Sequence, residues 1–191
     1  MADQLTDEEK QTLLRMAREA MENAVKGNTL PMPDIKSMSS ALREDGASFV
    51  TLTINGDLRG CIGALEAYQP LAMDVREHAI SAALADPRFR PVVESELGRI
   101  QLEVSRLTAP RLLEYSSAED LLLKLNPHID GVILKDGRRR ATFLPQVWEK
   151  IPVPADFLNH LCEKMGVRPN AWRDGKMEVY VYQVEDFHEK N

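Results

Sequence analysis

The chain has few cysteines, and the two it has, Cys61 and Cys162, are far apart in the sequence. Two distant cysteines cannot form a zinc site alone, and no CxxC or HxxxH spacing accompanies them, so we predict no metal and no cofactor. With 43% hydrophobic residues, the 191-residue chain has enough apolar material for a core without a disulfide. We therefore expect reduced thiols, as in a cytoplasmic protein.

Long hydrophobic runs are also missing. No stretch approaches the roughly 20 apolar residues that a membrane span needs, and residues 1–10 are polar and acidic, unlike a signal peptide. The GxGxxG, Walker and GxSxG patterns are absent as well. We therefore predict no membrane association, and these absences fit the expected cytoplasmic location.

Positive charge is in deficit. The formal net charge of −6 disfavours nucleic acid as a primary partner, because phosphate binding depends on clustered lysine and arginine. One basic cluster, Arg138-Arg139-Arg140, directly follows Asp136-Gly137, a pair typical of hairpin turns. We predict that this cluster points into water, and RNA binding through it is the weaker alternative.

The order of predicted elements indicates an α+β fold. Two turn pairs, Asn55-Gly56 and Asp136-Gly137, predict tight hairpins and therefore antiparallel pairing. Strands and helices do not alternate regularly, which disfavours a doubly wound sheet. We expect a mixed, largely antiparallel sheet with packed helices, in a single domain over residues 5–187 with no dividing linker. Helices are predicted over 6–26, 71–85 and from 154 to 165, and strands over 48–54, 58–62, 99–108, 131–135, 139–144 and 176–184.

Cys61 is the leading candidate for a reactive residue. It lies between Gly60 and Gly63, and glycines let a backbone approach a ligand closely. On a regular strand Arg59 would share a face with Cys61, where its guanidinium would favour a thiolate. The alternative is that Cys61 packs as a small hydrophobic residue, since free cysteine is often buried. These residues alone leave both interpretations open.

A base for such a cysteine is not evident. Catalytic cysteines are most often paired with histidine, but no spacing ties any histidine to Cys61. His78 is the nearest in sequence, and on an alanine-rich helix it is typical of a surface or packing residue. The other three are His128, His160 and His188.

Three further polar residues are candidates for a site. Glu103 shares a strand face with Gln101 and Ser105, so it faces solvent unless that face lines a cleft with Cys61, where it would act as acid or base. Arg88 lies in the rigid turn Asp86-Pro87-Arg88-Phe89. Either this turn only ends a helix, or Arg88 binds an anion or orients a neighbouring residue. Gln146 follows Pro145, where its amide would reach into a groove.

Several segments stand together in an order that resembles a known family. These segments are Leu58-Arg59-Gly60-Cys61-Ile62-Gly63 (the LRGCIG segment), Asp86-Pro87-Arg88-Phe89, Glu103-Val104-Ser105, Phe143-Leu144-Pro145-Gln146-Val147, Phe157-Leu158, Leu161-Cys162, Lys164, Gly166 and Trp172. Through them the sequence is similar to the AMMECR-domain family, in the prokaryotic form called AmmeMemoRadiSam system protein A. The similarity extends from about Leu5 to Phe187.

The resemblance implies a two-lobed fold in which the LRGCIG segment lines the family's main conserved surface. It also implies association with a Memo-like protein and a radical-SAM protein, but it supplies no reaction. None of the four histidines falls on a family segment. The matched residues that would serve a site are Arg59, Gly60, Cys61, Gly63, Arg88, Glu103 and Gln146.

Two hypotheses follow, and the sequence leaves open whether the protein is an enzyme. In the first, Cys61 belongs to an active or ligand-binding site for an unidentified small molecule. Arg59 and Arg88 neutralise an anionic ligand there, and Glu103 carries a proton. In the second, the LRGCIG surface is a non-catalytic adaptor surface that docks a protein partner, and Cys61 only packs.

Overall fold

The computed structural model describes residues 4–189 and has the predicted α+β class, with helices and two four-stranded sheets. The helices are α1 (Asp7–Val25), α2 (Ser40–Arg43), α3 (Leu71–Leu84), α4 (Ala118–Lys124) and α5 (Pro154–Met165). The strands are β1 (Ala47–Ile54), β2 (Asp57–Gly63), β3 (Ile100–Leu107), β4 (Arg111–Leu112), β5 (Gly131–Asp136), β6 (Arg139–Phe143), β7 (Glu178–Tyr182) and β8 (Val184–His188). Short 3-10 helices span Ile35–Ser37, Glu94–Arg99, Pro145–Glu149 and Ala171–Asp174.

The chain divides into two compact units. Of the described residues, the first unit contains 4–107 and 185–189, and the second contains 108–184. In the first unit the strand order is β2-β1-β3-β8, and in the second it is β4-β7-β5-β6. No helix within residues 4–189 is both long and apolar enough to span a bilayer.

Helix α1 begins where its sequence predicts. Thr6 and Glu9 form a capping box, in which the Glu9 N–H donates to Thr6 Oγ1 at 3.3 Å and the Thr6 N–H donates to Glu9 Oε2 at 2.8 Å. The apolar stripe of α1, including Leu13 and Met21, is fully buried against the core that it shares with α3. This helix pair covers one face of the first sheet.

The first sheet has one apolar face and one polar face. On β1, Val50 and Leu52 are fully buried in the core with the helices, whereas Thr51 and Thr53 alternate onto the other side. We call that other side the polar face. It carries Thr51, Thr53, Cys61, Gln101 and Glu103, which the strand registers place on the same side.

The β1–β2 hairpin has the predicted two-residue turn, but β2 is irregular. Asn55 and Gly56 have φ of 54° and 86°, the left-handed values that a type I′ turn requires. Leu52 pairs with Gly60, yet Thr53 pairs with Leu58, so Arg59 is the extra residue of a β-bulge. The bulge shifts the alternation of β2 between Leu58 and Gly60.

The second unit packs α5 on its own sheet around an aromatic core. The rings of Trp148 and Phe157 stack at 3.6 Å between centroids, and Cys162 is fully buried in the same core. Helix α5 ends at Gly166, as predicted, with φ of 79°. The cluster Arg138-Arg139-Arg140 is exposed at the β5–β6 hairpin, also as predicted.

The sequence prediction of a last strand over 176–184 was wrong at its end. The chain forms two strands there, β7 in the second sheet and β8 in the first. Strand β8 returns the chain to the first unit and adds an edge to its sheet. A strand's membership of one sheet or another depends on long-range pairing, which the local pattern does not contain.

Candidate functional site

The LRGCIG segment lies on β2, an edge strand of the first sheet. Outward-facing peptide groups of an edge strand have no strand to pair with. At Cys61 these groups are instead held by the turn after α3. The Cys61 N–H donates to Asp86 Oδ2 at 2.8 Å, and Arg88 Nη2 donates to the Cys61 carbonyl oxygen at 3.1 Å. The turn therefore fixes the backbone of Cys61 in place of a neighbouring strand.

Asp86 and Arg88, which hold the Cys61 backbone, also form an ion pair with each other. We call this pair the Asp86–Arg88 clamp. Arg88 donates from Nε to Asp86 Oδ1 at 2.9 Å and from Nη2 to Oδ2 at 2.7 Å, while the Asp86 side chain is only 2% exposed. The hydrogen bonds from Arg88, and then the one from the Cys61 N–H, hold the pKa of Asp86 well below its ordinary value despite burial. The Arg88 guanidinium is therefore already paired with a carboxylate of the protein.

Arg59 is engaged in the same way. It donates from Nε and Nη2 to the two carboxylate oxygens of Glu96, at 2.8 and 3.0 Å, and from Nη1 to the Arg90 carbonyl at 2.9 Å. The hydrogen bonds from Arg59 are the main reason that the pKa of Glu96 is lowered to about 2. The expectation that Arg59 shares a regular strand face with Cys61 was wrong, because the bulge interrupts the alternation.

With both guanidiniums committed, the geometry does not support the hypothesis that Arg59 and Arg88 neutralise an anionic ligand. Each already satisfies its charge with a carboxylate and adds a hydrogen bond to a backbone carbonyl. An incoming anion would have to displace one of these carboxylates. In the structure both arginines hold neighbouring segments against β2.

The glycines of the segment lie in close contact with neighbouring parts of the protein. A Cβ on Gly60 would lie 2.1 Å from the Ala82 carbonyl oxygen of α3. A Cβ on Gly63 would lie 2.3 Å from the Phe49 ring and 2.4 Å from the Ser48 carbonyl oxygen. The space that a side chain would need is filled by the protein itself, so these positions require glycine for close contact of β2 with its neighbours.

Cys61, Thr51 and Glu103 form a row across three strands of the polar face. Thr51 is the register partner of Cys61 on β2 and of Glu103 on β3. The Thr51 hydroxyl donates to Cys61 Sγ at 3.3 Å, and Cys61 is partly exposed. Because neighbouring strands lie about 4.8 Å apart, the Cys61 and Glu103 backbones are about 10 Å apart. A thiol and a carboxyl group thus lie on either side of a threonine on one surface.

A cavity of about 480 Å³ opens beside this row. Glu103 lies in its wall, half-buried, and burial together with the nearby charge of Asp186 raises the pKa of its carboxyl, while His188 opposes that effect. Within residues 4–189 no hydrogen-bond donor or cation is bonded to the Glu103 carboxylate. The lining residues are Thr51, Thr53, Gln101, Leu102, Glu103, His188 and Glu189.

His188 is the residue that the sequence prediction missed. It comes to the cavity on β8, the strand that was not predicted. The signal that was available is the short alternation Val184 to His188, with Phe187 buried and its neighbours exposed. That pattern is too short to establish a strand without knowledge of its partner.

The remaining candidates lie elsewhere. Gln146 is exposed on the 3-10 helix Pro145–Glu149 of the second unit. His78 is buried on α3, with Nδ1 at 3.1 Å from Asp74 Oδ2 and on the helix side of the sheet. His128 and His160 belong to the second unit. Both cysteines are unpaired, and no group of three or more potential metal-ligating side chains occurs in the described part of the chain.

Comparisons with known proteins agree with this description. The AMMECR1 family model matches residues 14–187. A protein of Methanothermobacter thermautotrophicus is 40% identical over 187 residues, covering 97% of this chain and 96% of that protein. A protein of Thermofilum pendens is 37% identical over 97% of this chain and 92% of its own length.

The fold has a solved counterpart as well. The crystal structure of an uncharacterized protein from Pyrococcus horikoshii superimposes with a TM-score of 0.76 at 34% identity, covering 97% of this chain and 94% of that one. Fold, sequence identity and family model all extend over nearly the whole length. The chain therefore belongs to the AMMECR1 family.

Proposed function

We propose that the polar face of the first sheet is a small-molecule site, at which Cys61 acts as a thiol nucleophile and Glu103 donates or accepts a proton. The observation that carries this proposal is the row Cys61–Thr51–Glu103, held in register across three strands beside a cavity of about 480 Å³. Cavities of this size typically hold small molecules and metabolites.

The roles of the two groups follow from their separation. At about 10 Å between backbones, Glu103 is too far from Cys61 to take the thiol proton directly, since proton transfer needs hydrogen-bond contact. Glu103 therefore acts on the far end of a ligand that spans the row. Its raised pKa brings its proton exchange closer to neutral pH than that of an ordinary glutamate.

Two features prepare the thiol. The Asp86–Arg88 clamp fixes the Cys61 backbone, and the Thr51 hydroxyl orients its sulfur. Fixing a nucleophile by contacts to its own main chain keeps its position independent of the ligand. The rigid turn after α3 thus supports the proposed site without contacting the ligand.

The second candidate function is the adaptor, and one observation favours it. Every arginine and glycine of the LRGCIG segment makes an intramolecular packing or ion-pair contact, as a purely structural segment would. In this alternative the polar face docks a protein partner. In either case we propose a Memo-like protein and a radical-SAM protein as partners, on the strength of the family resemblance.

A capture experiment tests the proposal. The wild-type protein, Cys61→Ser and Glu103→Gln are each incubated with the small-molecule fraction of a cell extract and examined by native and denaturing mass spectrometry. We expect wild type to retain a ligand, Cys61→Ser to lose any adduct that survives denaturation, and Glu103→Gln to retain about tenfold less ligand, equivalent to about 1.4 kcal/mol.

The matched control is Glu8→Gln, which makes the same change of charge at an exposed position on α1. It should bind like wild type. Equal capture by all four proteins would contradict the proposal. Loss of binding to a purified Memo-like or radical-SAM protein on Thr53→Arg, with no small molecule retained by wild type, would establish the adaptor instead.

A further inference from the structure

We infer that the cavity beside Glu103 binds a cationic group, an amine or a guanidinium, and not the anion that the sequence suggested. The inference rests on the proposed function, since it names the ligand class of the same site. Three observations support it: the charges of the residues that line the cavity, the direction of their hydrogen bonds, and the ion pairs that the nearby arginines already make with carboxylates of the protein.

The charges of the wall favour a cation. Of the described residues that line the cavity, none is lysine or arginine, and two are glutamates. Glu189 is already neutralised, because Arg18 donates to its carboxylate from Nε at 2.9 Å and also from Nη2. Within residues 4–189 no lysine or arginine is bonded to Glu103, and Asp186 adds negative potential beside it, which His188 partly offsets.

The hydrogen-bonding pattern points the same way. The Thr51 hydroxyl gives its one proton to Cys61 Sγ, so its oxygen is left to accept hydrogen bonds from a ligand. The neighbouring Glu103 carboxylate, once ionised, is likewise an acceptor only. Two acceptors on adjacent strands of one row are matched by a group with several N–H donors, such as an ammonium or guanidinium.

Among residues 4–189, the arginines near the row are each bound to a carboxylate of the protein. Arg59 is bound to Glu96 and Arg88 to Asp86, so neither guanidinium is available to recruit an anion. Arg18 is held by Glu189 and by the Ile100 carbonyl at 2.8 Å. A ligand ammonium is therefore the group that would compensate Glu103, and partial burial of that carboxylate strengthens the attraction relative to open water.

Binding of a cation should depend on pH through Glu103. Burial and the charge of Asp186 raise the pKa of this carboxyl, and its protonation removes the attraction, so affinity should fall as the pH is lowered through that raised pKa. The other ionisable groups that face it are Asp186, His188 and Glu189, with Arg18 behind Glu189. The part of the pH dependence that is due to Glu103 is the part that disappears in Glu103→Gln.

The test uses three probes of one chain length and different charge: cadaverine, pentanediol and glutarate. Each is titrated into the isotope-labelled full chain, and amide shifts are followed by NMR. We expect cadaverine to shift the amides of Thr51, Thr53 and Gln101, and the other two probes to leave them in place. Glu103→Gln should weaken cadaverine binding about tenfold or more, Thr51→Val should weaken it less, and Glu8→Gln should not change it.

Glutarate binding at these amides, or equal affinity of wild type and Glu103→Gln for cadaverine, would overturn the inference. Because Thr51→Val and Glu103→Gln act on different strands, misfolding of one variant leaves the other as a test. Alkylation of Cys61 in the same samples reports separately on the proposed function. Rapid alkylation of Cys61 without cadaverine binding would contradict only the inference that the ligand is cationic. Cadaverine binding with an unreactive Cys61 thiol would contradict only the proposal that Cys61 is a nucleophile.

Discussion

Replacing Gly60 with alanine is expected to destabilise the protein by about 3 kcal/mol, at the upper end of overpacking effects. The new Cβ would lie 2.1 Å from the Ala82 carbonyl oxygen. This atom is backbone in α3, and Ala79 and Ala82 on that helix are buried at 0% and 1% exposure. The helix therefore cannot move away from β2 without disturbing its own packing.

Chemical denaturation followed by circular dichroism measures this effect, and Gly98→Ala is the matched control. Gly98 is exposed, has no positive φ, and a Cβ there would meet no atom within 4 Å. We expect the control to stay within about 0.5 kcal/mol of wild type. Similar stability of the two variants would show that β2 and α3 are not in the contact described.

Replacing Asp86 with asparagine is expected to destabilise the protein by about 2 kcal/mol at neutral pH. The substitution keeps the shape but removes a buried charge that receives hydrogen bonds from Arg88 and from the Cys61 N–H. The control is Asp57→Asn, which removes an exposed carboxylate and should change stability little. The free energy of unfolding from denaturant titrations gives the comparison.

The difference in stability between wild type and Asp86→Asn should depend on pH, and its direction can be predicted. The folded-state pKa of Asp86 lies below its ordinary value near 3.8, so its contribution is fully present above about pH 4 and is lost as the pH falls through the folded-state pKa. The stability difference between wild type and Asp86→Asn should therefore shrink in acid. A difference that stays constant from neutral pH down to about pH 2 would contradict the role assigned to this carboxylate.

The parts of the fold that the sequence predicted are those with local causes. The capping box of Thr6 and Glu9, the left-handed turn at Asn55-Gly56 and the stop at Gly166 each depend on residues a few positions apart. Helix α3 likewise ends next to Asp86-Pro87, because proline disfavours a helical conformation of the residue before it. Such rules need no knowledge of distant chain segments.

The bulge at Arg59 and the strand β8 could not be predicted in this way. Nothing in the segment Leu58 to Ile62 marks one residue as extra, since the bulge exists only relative to the register with β1. The ion pair of Arg59 with Glu96 joins residues 37 positions apart. Its consequence, a guanidinium bound to Glu96, depends on that long-range contact.

The candidate site shows the same division. Alternation alone predicted that Glu103 faces away from the core, and the glycine-flanked Cys61 stood out by its neighbours. Their meeting on one row, with Thr51 between them, depends on the registers of β1 with β2 and β3. His188 enters the cavity only because β8 pairs with the first sheet. The chemistry of single residues could be read from the sequence, but not their arrangement.

The most direct test of the proposed site is the alkylation of the native protein by iodoacetamide at neutral pH, followed by mass spectrometry of each cysteine over time. Cys162 is the internal control, since it is fully buried in the second unit and burial raises the pKa of its thiol. We expect Cys61 to be modified in the folded protein at a rate within about tenfold of a free cysteine peptide, and Cys162 only on unfolding. Modification of Cys61 only in step with Cys162, on denaturation, would contradict a reactive thiol on the polar face.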